Sequence, residues 1–126
     1  MEDLIRDFLK QDSFAVAGSF RNPEKVAYRI FLTLKEAGHK VYPVNPSTKE
    51  VEGIRCYASV KDIPEDIGAV DLVTPPAISE KIVRECGEKG IKRVWFQPGA
   101  ESEEAIKFCR DNGIKVIYGQ CLLMKS

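Results

Sequence analysis

From residue 13 onward, short apolar runs alternate with longer amphipathic stretches, and this alternation constrains the fold more than any other feature of the chain. Ser13–Ala17 (SFAVA) ends at Gly18 and reads as a buried strand, after a short amphipathic helix over 2–10 that carries Leu4, Ile5, Phe8 and Leu9 on one face. A helix is predicted from Pro23 to about Ala37. Asn22 suits its N-cap, Pro23 its first position and Glu24 its first turn, and Gly38 ends it. His39–Val44 reads as a second strand, Asn45–Glu52 as a polar loop and Gly53–Tyr57 as a short edge strand, with Ser59 capping a single turn. Ala69–Val73 is another strand, cut off by Thr74-Pro75-Pro76. A helix follows from about Pro76 to Lys89, with Ile78, Ile82, Val83 and Cys86 facing inward, and Gly90 ends it. Ile91–Phe96, a helix capped by Ser102 and closed by Gly113, and Ile114–Tyr118 complete the pattern. Strands alternating with helices imply βαβ units, a parallel sheet and right-handed crossovers. The expectation is one doubly wound α/β domain over residues 1–126, with about five strands in the order 3-2-1-4-5.

Composition narrows the class further. Of 126 residues, 44% are apolar and 30% charged, too apolar for a disordered chain. Nine glycines and seven prolines without a period exclude collagen. Nineteen basic residues balance nineteen acidic ones, which argues against a general nucleic-acid or membrane binder. No apolar run approaches the roughly 18 residues of a membrane span, and MEDLIRDFLKQD carries no signal-peptide core, so a cytoplasmic location is expected. The cysteines at 56, 86, 109 and 121 form no CxxC pair and His39 is the single histidine, so no zinc-ligand pattern is present and no metal is expected.

In an open parallel sheet, ligands bind beyond the carboxyl ends of the strands, where the strand order reverses. Here that point falls between the Ser13–Ala17 and Ala69–Val73 strands. The loops Gly18–Pro23 and Thr74–Pro76 meet there, flanked by Asn45–Pro46 on one side and by Gln97–Ala100 and Gly119–Cys121 on the other. Gly18 lies between a strand and a helix start, which suits a phosphate or pyrophosphate, and Arg21 adds a guanidinium that can fork two phosphate oxygens. The GxGxxG fingerprint is absent, because position 20 is Phe and position 23 is Pro. The second strand ends in VYPVNPSTK, with Asn45 where NAD-binding domains place an acid. A missing carboxylate with Lys49 and Arg55 nearby favours a ribose carrying an extra phosphate, as in NADP or coenzyme A.

The segments AVAGSFRNPEKVAYRI, VYPVNPSTKEVEGIRCYASVKDIP, VDLVTPPA, VWFQPGAESEEA and GIKVIYGQC, in this order, resemble the stand-alone CoA-binding domain proteins. Those are similar to the N-terminal CoA-binding domain of the succinyl-CoA synthetase alpha subunit. The resemblance covers nearly the whole chain and implies a Rossmann-like domain that holds coenzyme A or an acyl-CoA by its 3′-phospho-ADP half. It assigns Gly18, Ser19 and Phe20 to the pyrophosphate turn, with Arg21 and Asn22 beside it. Val44, Asn45 and Pro46 would flank the nucleotide, with Lys49 close by. Val73, Thr74, Pro75 and Pro76 would line the adenine, while Gln97, Pro98, Gln120 and Cys121 would lie toward the pantetheine. Relatives usually carry Ser or Thr where this chain has Phe20, which leaves Ser19 and backbone N–H groups as donors.

No catalytic residue is expected. The synthetase's phosphohistidine belongs to a second domain, and His39 opens a strand on the far side from the ligand edge. Glu101, Glu103 and Glu104 answer a helix dipole. Cys121 is the one reactive candidate, positioned for exchange with a CoA disulfide. The expected function is non-catalytic CoA binding, with a partner subunit or a homo-oligomer as context. The rival readings are a small NADP-linked reductase, with Tyr118 as its proton donor, and a nucleotide-sensing regulatory module.

Overall fold

The computed structural model describes residues 2–124. Five parallel strands form one sheet: β1 (Ser13–Ala17), β2 (Lys40–Val44), β5 (Ala69–Leu72), β6 (Arg93–Phe96) and β7 (Lys115–Ile117), in the order β2-β1-β5-β6-β7. A separate antiparallel pair consists of β3 (Glu50–Val51) and β4 (Ile54–Arg55). Helices α1 (Glu2–Leu9) and α2 (Val26–Glu36) cover one face of the sheet, and α3 (Pro76–Lys89) and α4 (Glu103–Asp111) cover the other. No described helix is long and apolar enough to cross a membrane.

The alternation of side chains along each strand builds two cores. Phe14, Val16, Ala69 and Trp95 point toward α1 and α2, where they meet Phe8, Ile30, Phe31 and Leu34. Ala15, Val70, Leu72, Val94 and Phe96 point toward α3 and α4, where they meet Ile82, Val83, Cys86, Ala105 and Cys109. Strands buried on both faces read as continuous apolar runs, which is why SFAVA stands out in the sequence. α1 is tied to the sheet by Asp7, whose carboxylate accepts from Arg93 Nε at 2.6 Å and pairs with Lys115 at 3.5 Å. The Arg93 hydrogen bond holds Asp7 below its ordinary pKa, against a smaller opposing effect of burial.

Two local expectations need correction. The inner strand order is as expected, but Gly53–Tyr57 contributes only the isolated parallel bridge of Tyr57 to Val44 at the edge of β2. The reason is a tight turn at Glu52 and Gly53, with φ of 54° and 78°, which folds the supposed loop and edge strand back on each other as a hairpin. The Tyr28 hydroxyl donates to Glu52 and pins this hairpin to α2. The second correction is the start of α2, which lies at Val26 rather than Pro23. Asn22 Oδ1 accepts from Glu24 N at 2.9 Å and Asn22 O accepts from Lys25 N at 3.0 Å, so residues 22–25 form a turn ahead of the helix.

Other caps follow the sequence. Ser102 Oγ accepts from Ala105 N at 3.0 Å, and Gly90 closes α3 in the left-handed conformation at φ 82°. Val60–Asp62 form the single 3₁₀ turn expected before Pro64, although the Ser59 side chain makes no cap bond. His39 packs edge-on against Phe14 with ring centroids 4.8 Å apart, at the amino end of β2.

One polar pair lies inside the sheet. Asp71, in the middle of β5, is fully buried, and its Oδ1 accepts from Gln97 Nε2 at 2.8 Å. Gln97 Oε1 in turn accepts from Leu122 N at 3.0 Å, and Gln120 O accepts from Trp95 Nε1 at 2.8 Å. Together these bonds fasten the segment after β7 to the sheet. Among the described residues Asp71 Oδ2 has no hydrogen-bond partner, and burial pushes the Asp71 pKa up to about 8 despite the Gln97 bond. Between its ordinary value near 3.8 and about 8, folded Asp71 keeps a proton that the unfolded chain releases. Its contribution to stability is therefore full below the ordinary value and is lost as pH rises through this window, by an amount on the order of a few kcal/mol. An asparagine side chain in this place would be isosteric with the neutral acid and cannot ionise. Asp71→Asn should thus gain on the wild type progressively from pH 4 to pH 8, and melt roughly 5–10 °C higher at pH 8. Thermal melts of both proteins across that range check it.

Candidate functional site

The chain turns back on itself at β1. From there it adds β2 on one side and β5, β6 and β7 on the other, and the loops leaving the carboxyl ends of β1, β2 and β5 bound a cleft of about 460 Å³. The floor is made by the strand ends, Ala17 and Gly18 at the end of β1, Val44 to Ser47 at the end of β2, and Val73 to Pro75 after β5. One wall comes from Ala58 and Ser59, and the other from Ile78, Lys81, Ile82 and Glu85 on α3.

Gly18 is the tightest point of this floor. A Cβ there would lie 2.7 Å from Ala27 Cβ and 3.0 Å from Val73 O, so α2 and the β5 end approach the backbone closely only because position 18 has no side chain. Gly18 N donates to Val44 O at 3.3 Å, and Gly18 O accepts from Asn45 Nδ2 at 2.6 Å. Asn45 Oδ1 accepts from Ser47 N at 2.8 Å, and Asn45 N donates to Tyr57 O at 2.9 Å. One amide thus ties the loop after β1 to the loop after β2. Across the floor, Thr74 Oγ1 and the buried Ser79 Oγ lie 2.7 Å apart and brace the start of α3.

The structure brings Gly18, Ser19, Val44, Asn45, Pro46, Val73, Thr74 and Pro75 into this one cleft. Phe20 is buried and packs edge-on against Phe31 at 6.0 Å, so it anchors the turn from below and leaves Ser19 exposed above it. Arg21 and Asn22 are exposed on the following turn, Lys49 is exposed beyond Ser47, and Pro76 opens α3 outside the lining. Gln97 is committed to Asp71 and Leu122, and Pro98 is exposed next to it. Gln120 and Cys121 are half-buried on the segment held by Trp95 and Gln97, also outside the cleft lining.

The α3 wall escapes sequence reasoning. Ile78 is expected in the core but is 47% exposed, because it faces the cleft instead. Residues 78, 81, 82 and 85 share one helical face, a spacing that was available as a signal. Lys81 and Glu85 are the only charged side chains of the lining among the described residues. Burial pushes the Glu85 carboxyl up, while the Val60 backbone N–H and the charges of Lys61 and Lys81 oppose this.

Comparison with known proteins adds to this geometry. The family described as the CoA binding domain matches residues 12–126. The chain is 42% identical over 88 residues to the alpha subunit of ADP-forming acetate–CoA ligase II from Pyrococcus furiosus, which covers 69% of this chain and 19% of the subunit. It is 41% identical over 80 residues to the ADP-forming acetate–CoA ligase of Methanocaldococcus jannaschii, covering 64% of this chain and 11% of the ligase. The chain therefore spans less than a fifth of the length of either relative. Among solved structures, a hypothetical protein from Pyrococcus horikoshii superposes with a TM-score of 0.94 at 36% identity, covering 99% of this chain and 89% of that one.

Two substitutions test the floor. Asn45→Asp replaces the donor facing Gly18 O by an acceptor and should cost roughly 1–3 kcal/mol. Gly18→Ala forces Ala27 or Val73 to move and should cost a similar amount, roughly 1–3 kcal/mol. Urea unfolding of both variants checks the expectation. Unchanged midpoints would show that the floor is not built on these contacts.

Proposed function

Since the chain belongs to the CoA-binding domain family, we propose that it binds coenzyme A or an acyl-CoA through the 3′-phospho-ADP half and presents it without transforming it. The observation that carries this reading is the cleft at the reversal of strand order, whose β2 end offers Asn45, Pro46 and Ser47 and no carboxylate. The Gly18–Ser19 turn brings backbone close to where a pyrophosphate would lie, with the start of α2 packed against it. The apolar side chains of Val44, Val73, Ile78 and Ile82 suit the adenine. The extra phosphate would meet Lys81, the cation of the lining on α3, with Lys49 exposed farther along the loop after β2.

The absence of a transformation is supported by the lining itself. It holds neither the histidine nor any of the cysteines, and His39 lies at the amino end of β2. Tyr118, the proton donor that a reductase would need, faces Arg110 beside α4 instead. Any acyl transfer using the bound CoA would then be completed by residues of a partner polypeptide, as a subunit arrangement like that of the ligase relatives would allow.

Calorimetric titration with CoA, dephospho-CoA and NADP tests the reading. CoA should bind, and dephospho-CoA should bind roughly tenfold or more weakly because a charge-assisted contact is lost. NADP should be the poorer ligand. Binding of NADP alone would favour a reductase, and silence at millimolar CoA would remove the proposal.

A further inference from the structure

The far end of the α3 wall holds a polar atom without a partner. Glu85 follows Lys81 by one helical turn, and its Oε1 is shielded from solvent with no hydrogen bond among the described residues. The Val60 backbone N–H and two nearby lysines favour the charged carboxyl, yet Oε1 has no hydrogen-bond donor among the described residues. A desolvated acceptor is costly until a donor reaches it. On the same helical face, Ile78 and Ile82 precede Glu85, while Val44 and Val73 close the cleft from the sheet. Along α3 the lining thus runs from the apolar side chains of Ile78 and Ile82 to a carboxylate acceptor. It suits a planar base that carries N–H groups on its leading edge.

We propose that Glu85 is the residue that selects the base: a small shift of its side chain lets Oε1 accept a hydrogen bond from the exocyclic amine of adenine. The assignment rests on the CoA reading above and goes beyond it by naming the group that discriminates. Held in the same pose, a hypoxanthine base would turn its O6 carbonyl toward the carboxylate, so two acceptors would face each other in a desolvated place, and its N1–H could reach Oε1 only if the base were displaced in the cleft. Sites built to pair with an N–H reject analogues that lack it far more strongly than apolar pockets reject a change of size.

The test compares CoA with its deaminated analogue, which carries hypoxanthine in place of adenine, on the intact protein and on Glu85→Gln. The wild type should bind the analogue roughly 10–100-fold more weakly than CoA, the range spanned by a lost hydrogen bond to a charged group. In Glu85→Gln the side-chain amide can also donate to the hypoxanthine carbonyl, so the gap should close or reverse. A melting curve of the variant shows that it is folded, and the wild-type comparison stands without it. Equal wild-type affinity for the two bases overturns the assignment while leaving CoA binding intact. So does a variant that keeps the full wild-type gap. Absence of CoA binding to the wild type instead removes the reading beneath it.

Discussion

The contact on which the cleft depends is the approach of three backbone segments at Gly18. The end of β1, the first turn of α2 and the end of β5 meet where a single methyl group would collide with both Ala27 and Val73. Asn45 then closes the arrangement from β2 by donating to the Gly18 carbonyl. Without this approach the strands would still pair, since their ladders involve other residues. The floor of the cleft would change, because these contacts, with the backbone bonds from Gly18 N to Val44 O and from Val73 N to Ala17 O, set its strand-end loops relative to one another.

The molecule buries polar groups in two different ways. Asp71 and Gln97 lie in the sheet and use their bonds to anchor the chain after β7, so their polarity serves the architecture. Glu85 lies at the boundary of the cleft, close to the Val60 backbone, and its Oε1 is buried without a hydrogen-bond donor among the described residues. Both carboxyls are raised by burial, so a raised pKa does not by itself distinguish a structural acid from one that faces a ligand. The position of each on its element, mid-strand or on a cleft-facing helical stripe, makes the distinction.

Much of the fold is legible in the sequence because its signals are local. Ser102 and Gly90 bound helices through bonds within a few residues of themselves, and the apolar strands announce their burial on both faces. Asn22-Pro23 misleads because the same asparagine that can cap a helix can also close a turn, and here its carbonyl and side chain take the N–H groups of Lys25 and Glu24. The hairpin is hidden because Glu52, not an asparagine, occupies the left-handed position before Gly53. The strand-end residues of the cleft are legible from topology alone. The α3 wall is not, since an apolar stripe of Ile78 and Ile82 reads the same whether it faces a core or a ligand. The Asp71–Gln97 pair spans 26 residues, and no local pattern joins them.

The distribution of the thiols has a practical meaning. Cys56, Cys86 and Cys109 are buried, and loss of solvation drives all three away from the thiolate form, Cys109 up to about 12. Cys121 alone is partly open. A maleimide dye added to the native fold therefore has one preferred attachment point, on the segment clasped by Trp95 and Gln97, and the unmodified chain already carries its own address for a fluorescent reporter.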